Sequence, residues 1–189
     1  MKTKNDLRKI ILNIRNNMNK EDVIKKSSII IEKLTNLDVY KNSKVVFVYM
    51  DFKNEVVTSD LIKQMLSEKK RVVIPYTDTT NTLIIPSELK SMKDDLILSS
   101  FGYYQPRLDK IVYVEPEEFD LVVVPGVVFD KDLNRIGFGK GYYDRILNRL
   151  RTDAQTVAVA YDFQVLDEVP HEQHDIKMDK IITENMIYS

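Results

Sequence analysis

Residues 1–189 are expected to fold as a single three-layer α/β domain around a mainly parallel central sheet, and three observations predict it. Residues 44–50 and 71–75 are apolar, β-branched runs, and between them Leu61, Ile62, Met65 and Leu66 recur at helical spacing. Strand, helix and strand within about 30 residues imply a parallel pair joined by a right-handed crossover. Residues 121–125 and 156–161 are further apolar runs without polar alternation, the mark of strands covered on both faces. A 189-residue chain that is 43% hydrophobic and 30% charged suits one soluble domain with an ordinary core, and it carries no repeats, low-complexity tracts or linkers.

Taken in order, Leu7, Ile10, Ile11, Ile14 and Met18 fall on one arc of a helix over residues 3–18. Lys4, Arg8 and Arg15 cluster at its edge. The pattern favours a solvated basic flank with snorkelling stems; the sharper alternative sets these cations at the rim of a cleft, facing an anion. Asn19 and Asp22 start a second helix as N-cap and first-turn acid, with Val23, Ile24, Ser27, Ile30, Ile31 and Leu34 as its buried face. Residues 51–55 form the loop at the carboxyl end of the first strand, where ligands sit in parallel sheets, and Thr58 caps the next helix. Residues 83–85 are expected as a short strand, 94–98 as a helical turn or edge strand, and 101–106 as a structured loop. Tyr143, Ile146, Leu147 and Leu150 mark a helix after the glycine-rich segment, and residues 181–183 a last short strand.

Composition excludes several classes of function. With 28 basic and 29 acidic residues there is no general nucleic-acid footprint. Without cysteine there is no disulfide, thiolate metal site or cysteine nucleophile. No apolar run approaches the roughly 18 residues of a membrane span, and the charged start of the chain resembles no leader peptide, so a cytoplasmic location is expected.

Three of the five glycines fall at Gly137, Gly139 and Gly141, just ahead of a helix. That density exceeds what an ordinary turn needs. Glycines so spaced let the backbone approach a ligand, and the following helix turns free N–H groups toward it, so a phosphate-handling loop is expected, aided by Lys140. The segment matches neither a Walker loop nor a dinucleotide fingerprint. Asp144 is either a carboxylate complementing the helix dipole or a magnesium ligand beside the phosphates. Tyr143 lies on the apolar arc and belongs to the core, whereas Tyr142 is free to line a pocket. His171 and His174, with Glu172 and Asp175, invite a metal or acid–base reading, although a hydrogen-bonded structural turn is the commoner outcome. Glu55 taken alone reads as a surface acid.

The run Pro125-Gly126-Val127-Val128-Phe129-Asp130, followed by Arg135-Ile136-Gly137-Phe138-Gly139-Lys140-Gly141-Tyr142-Tyr143-Asp144-Arg145, resembles the hallmark of the 5-formyltetrahydrofolate cyclo-ligases, or methenyltetrahydrofolate synthetases. Lys4 and Arg8, Asn54-Glu55-Val56-Val57-Thr58, Gly102 with Gln105-Pro106, and His174-Asp175-Ile176-Lys177-Met178-Asp179 are similar to further family segments in the same order. The chain departs from the pattern at Gln105, where many members carry Glu, and in a more polar 51–54 loop. The resemblance implies a fold of the ribose-5-phosphate isomerase and CoA-transferase (NagB-like) group. It also implies ATP- and magnesium-dependent cyclisation of 5-formyltetrahydrofolate, with or without a polyglutamate tail, by a monomer or weak homodimer. It assigns ATP to Lys4, Arg8, Arg135, Gly137, Phe138, Gly139, Lys140, Gly141, Tyr142 and Tyr143. Folate falls to Met50, Glu55 and the Phe138-to-Tyr142 segment, catalysis to Lys140, Arg135 and Tyr142, and magnesium to Asp144 and Asp175. A sugar-phosphate isomerase or CoA transferase would need no ATP, and a regulator that has lost turnover would bind without converting.

Overall fold

Side chains alternate across a strand, and on the central strands of this protein both sides of the alternation are apolar, so the sheet needs cover on both faces. A computed structural model describes residues 2–172 and 175–189. Its helices are α1 (Lys4–Asn16), α2 (Lys20–Asn36), α3 (Asp38–Asn42), α4 (Ser59–Ser67) and α5 (Tyr142–Leu147). Its strands are β1 (Val45–Val48), β2 (Arg71–Asp78), β3 (Leu83–Leu89), β4 (Leu96–Leu98), β5 (Tyr104–Pro106) and β6 (Leu121–Val124), then β7 (Val128–Asp130), β8 (Arg135–Ile136), β9 (Gln155–Val159), β10 (Val165–Leu166), β11 (Lys180–Ile182) and β12 (Ile187–Tyr188).

The main sheet has the order β12-β11-β9-β6-β1-β2-β3. Strands β11, β9, β6, β1 and β2 run parallel, and β12 and β3 close the two edges antiparallel. Val46, Val48, Val72, Ile74, Leu121, Val123 and Val157 point to one face, where Ile30 and Leu34 of α2 and Leu61, Ile62 and Met65 of α4 cover them. Phe47, Val73, Val122, Val124 and Ala158 point to the other, against Ile146 and Leu147 of α5, Phe119 and Phe129. The mainly parallel sheet and the crossover through α4 are as the sequence predicts.

The run from residue 121 to 130 does not stay in one sheet. At Pro125 and Gly126 the chain leaves β6 and enters β7, the centre of a small sheet ordered β10-β7-β8. Gly126 is required there, because a Cβ would lie 2.3 Å from the buried Phe129 ring. This small sheet is the floor for α1: Leu7 and Ile11 pack on Val127, Val128, Ile136 and Val169.

That floor corrects the expected face of α1. At about 100° per residue, Lys4, Leu7, Arg8, Ile11 and Arg15 share one arc, and this arc faces inward. Leu7, Ile11 and Arg15 are buried, whereas Ile10 and Ile14 are 39% and 44% exposed. The helix is turned toward its cations, so the solvated basic flank is wrong for Arg15. Asn19 caps α2 as expected, accepting from Asp22 N at 2.8 Å, but Ile24 faces solvent. Thr58 precedes α4 without capping it; its hydroxyl donates to Tyr49 O at 2.8 Å. Residues 94–98 resolve into the β4 edge strand, β3 extends well past 83–85, α5 stops before Leu150, and β12 follows the strand expected to be last.

Candidate active site

Parallel strands leave their carboxyl ends on one side of the sheet, and there β1, β2 and β6 open a cavity of about 350 Å³. Its lining includes Tyr49 and Met50 after β1, Pro75 and Thr77 of β2, and Pro125 after β6. The glycine segment from Arg135 to Asp144 forms one wall. Phe52, Tyr103 and Tyr104 form the opposite one, with Phe52 and Tyr103 in edge contact at 5.7 Å. Lys4 and Arg8 enter from α1, Glu55 from the loop after β1, and Asp175 from the C-terminal segment. Every residue that the family resemblance assigns to ATP, folate, catalysis or magnesium lines this one cavity, whereas His171 and Glu172 are not in its lining.

The glycine wall is built by conformation and by close approach. Gly139 and Gly141 have φ of +89° and +66°, the left-handed region that L side chains avoid. Arg8 rests on the loop, donating from Nε to Gly137 O at 2.7 Å, and its guanidinium lies 3.4 Å from where a Cβ of residue 139 would sit. Helix α5 has six residues, and Gly141 gives its N-terminus no side-chain cap. The expected help from a helix N-terminus is therefore small, and the positive potential comes from the cations and loop amides.

Ion pairs line the cavity among the described residues. Arg135 pairs with Asp144, whose side chain is 49% exposed, and Lys4 Nζ lies 2.6 Å from Asp175 Oδ2. Asp175 also accepts from Glu172 N at 2.8 Å, forming a turn; His174 lies outside the described residues. Tyr142 lines the cavity, and Tyr143 packs against both apolar cores as expected. Among the described residues, three buried polar side-chain atoms lack a hydrogen-bond partner: Arg15 Nε, Arg135 Nε and Tyr143 Oη. Arg135 and Tyr143 are themselves part of the lining.

Glu55 is no surface acid. It is 7% exposed, and burial pushes its carboxyl from about 4.5 up to about 7, against the opposing pull of Arg15 and of Phe52 N–H. The hydroxyl of Tyr161 holds its backbone by donating to Glu55 O at 3.1 Å. Beside it, Asn54 Nδ2 donates to Arg15 O at 2.8 Å and Met18 O at 3.0 Å, tying the loop to the end of α1.

No group of three or more His, Asp or Glu side chains close enough to hold a metal forms among the described residues. Magnesium ordinarily takes one or two carboxylates and completes its shell with phosphate and water, so Asp144 and Asp175, which line one cavity with its cations, are a fitting donor set. Sequence reasoning missed Tyr49, Phe52, Pro75, Thr77, Ile84, Tyr103 and Tyr104 as lining residues. The aromatic cluster Phe101-Gly102-Tyr103-Tyr104 was the available signal.

Fold and cavity together define an α/β protein with a cation-lined cleft at the carboxyl ends of its strands. The 5-formyltetrahydrofolate cyclo-ligase family matches the chain over residues 1–184, and the protein belongs to that family. The 5-formyltetrahydrofolate cyclo-ligase of Saccharomyces cerevisiae is 30% identical, over 96% of this chain and 95% of its own. That of Mus musculus is 29% identical, over 87% and 85%. Among solved structures, the 5,10-methenyltetrahydrofolate synthetase of Aquifex aeolicus superposes with a TM-score of 0.85 at 35% identity, covering 97% of this chain and 91% of that one. The synthetase of Mycoplasma pneumoniae superposes at 0.77 with 29% identity, over 96% and 98%. The mainly parallel sheet is thus that of known methenyltetrahydrofolate synthetases.

Proposed function

We propose that the protein converts 5-formyltetrahydrofolate to 5,10-methenyltetrahydrofolate with consumption of ATP, releasing ADP and phosphate. The observation that carries this reading is the two-sided cavity: a cationic glycine wall with Lys4, Arg8, Arg135 and Lys140 faces an apolar wall with Phe52, Tyr103, Tyr104 and Met50. The first suits a triphosphate, the second a flat heteroaromatic and its aryl extension.

The formyl oxygen attacks the γ-phosphorus as the bond to ADP breaks, which converts a poor leaving group into phosphate. N10 then attacks the formyl carbon, its proton is lost, and the carbon–oxygen bond breaks as phosphate departs. Lys4 and Arg8 hold the nucleotide, while Arg135, Lys140 and the amides from Gly137 to Gly141 neutralise charge on the transferring group. Phe138, Tyr142 and Tyr143 complete the nucleotide wall, and the Tyr142 hydroxyl orients the reacting groups where the two ligands meet. Met50, Glu55 and the Phe138-to-Tyr142 segment hold the folate with its formyl oxygen in line. Asp144 and Asp175 would hold magnesium, which would supply further neutralisation of the phosphates. A polyglutamyl tail leaving past Phe52 would meet Lys53, whose ammonium lies 5.1 Å from that ring.

Purified protein given 5-formyltetrahydrofolate and Mg-ATP should generate the methenyl chromophore, and omission of ATP or chelation of magnesium should abolish it. Folded protein that produces no chromophore would overturn the reading. Turnover that persists without ATP would remove the nucleotide from it.

A further inference from the structure

Of the three cations on the inner arc of α1, Lys4 and Arg8 reach the cavity and Arg15 does not. The Arg15 side chain is 3% exposed, and a charge is costly to bury without strong partners. Its partners are few. Nη1 lies 3.3 Å from Gly126 O, Nη2 lies 3.8 Å from Glu55 Oε1, the guanidinium carbon is 5.6 Å from the Phe138 ring centre, and Nε has no partner among the described residues. At 3.8 Å the guanidinium acts on Glu55 through its field and not through a hydrogen bond.

Both groups it approaches on the ligand side, Glu55 and Phe138, line the cavity. Glu55 is also faced by the carboxylate of Asp51 in its own loop, by Tyr49 at the end of β1, and by Tyr143 of α5, which lies beside Arg135. Phe52 N–H donates to Oε2 at 3.0 Å. In this set Arg15 is the cation that opposes the effects of burial and of Asp51 on the Glu55 carboxyl.

We propose that Arg15 is a positioning residue for folate recognition, fixing the orientation and charge of Glu55 on one side and carrying the Phe138 ring on the other. It touches neither ligand. The inference rests on the assignment of Glu55 to the folate made above.

The test is the pH profile of kcat/KM for 5-formyltetrahydrofolate across the neutral range, in wild type, Arg15→Gln, Arg15→Lys, Glu55→Gln and the Arg15→Gln/Glu55→Gln double variant. Removing an adjacent cation raises a carboxyl pKa, so Arg15→Gln should move the Glu55-dependent inflection upward by about one pH unit. It should also raise the folate KM about tenfold, with a smaller rise in ATP KM because Phe138 faces both ligands. Arg15→Lys keeps the charge and should keep the inflection, with a smaller rise in folate KM because the planar fork is lost. In the Glu55→Gln background the profile should no longer respond to Arg15→Gln.

An Arg15→Gln variant that weakens both substrates alike with the inflection unmoved would make Arg15 a packing residue and overturn the proposal. Should that variant fail to fold, Arg15→Lys decides, and an unchanged folate KM in it overturns the proposal too. If Glu55→Gln changes neither folate KM nor profile, the Glu55 assignment falls, and the role of Arg15 with it. That outcome differs from a responsive Glu55→Gln beside an unresponsive Arg15→Gln, which removes Arg15 alone.

Discussion

Two arginine–carboxylate pairs flank the cavity and differ in what surrounds them. Arg15 and Glu55 are both buried, at 3% and 8% side-chain exposure, whereas Arg135 at 6% meets an Asp144 that is 49% exposed. Two buried charges have little freedom to exchange partners, because each would be left uncompensated in a poorly polar interior. The open pair is easier to part, because water reaches the Asp144 carboxylate, and under the proposed function a phosphate would take over the guanidinium. Lys4 and Asp175, at 25% and 22%, resemble the open pair. Under the proposed assignments, the same chemical pairing would serve fixed geometry on the folate side and exchangeable charge on the nucleotide side.

The largest expected effect tests the open pair. Arg135→Ala removes the cation that the proposed phosphoryl transfer draws on, and kcat should fall on the order of 1,000-fold. Single-turnover rates that match wild type would break the comparison. The buried pair is tested by stability. The Glu55 carboxyl titrates near 7 when folded and near 4.5 when free, so the folded state holds a proton that the unfolded state has lost between those values. That contribution is therefore complete below about pH 4.5 and gone above about pH 7, a loss on the order of 3 kcal/mol from this group. Glu55→Gln should flatten that fall in denaturant titrations, and an unchanged slope would show that Glu55 does not titrate there. Asp144→Asn should raise the magnesium concentration for half-maximal rate about tenfold. An unaltered metal dependence would release Asp144 from the ligand role. Asn54→Ala removes the clamp on the carbonyls of Arg15 and Met18 and should cost about 1 kcal/mol. A variant as stable as wild type would show that the loop is held by Glu55 and Thr58 alone.

Much of this arrangement is legible in the sequence, and the reasons for the rest are physical. Apolar β-branched runs report burial on two faces, so β1, β2, β6 and β9 are readable without neighbours. Helical periodicity reports how many apolar residues share an arc, not which arc meets a partner. Ile10 and Ile14 match the pattern as well as Leu7 and Ile11 do, and only the small sheet under α1 selects between them. Arg15 is hidden for the same reason: a cation at the edge of an apolar stripe reads as snorkelling until a buried carboxylate comes from 40 residues away. The glycine wall is contiguous in sequence and could be read. The aromatic wall is assembled from Phe52, Tyr103 and Tyr104, which converge only when β1 and the β4–β5 hairpin are in place. Gln105, the departure from the family pattern, lies in β5 opposite Ile97 of β4.

The junction at Gly126 has a consequence for how the chain tolerates change. Its carbonyl takes Nη1 of Arg15 and Nε2 of Gln164 at 3.3 and 3.2 Å, and the space for a methyl group is taken by the Phe129 ring. Any side chain there must displace the Phe129 ring, which is fully buried in the core under the main sheet. Damage at this position would reach Arg15, Gln164 and Phe129 together, although residue 126 does not line the cavity. Saturation mutagenesis selected for turnover should accordingly recover glycine at 126 and a broad choice at exposed Ile10 and Ile14.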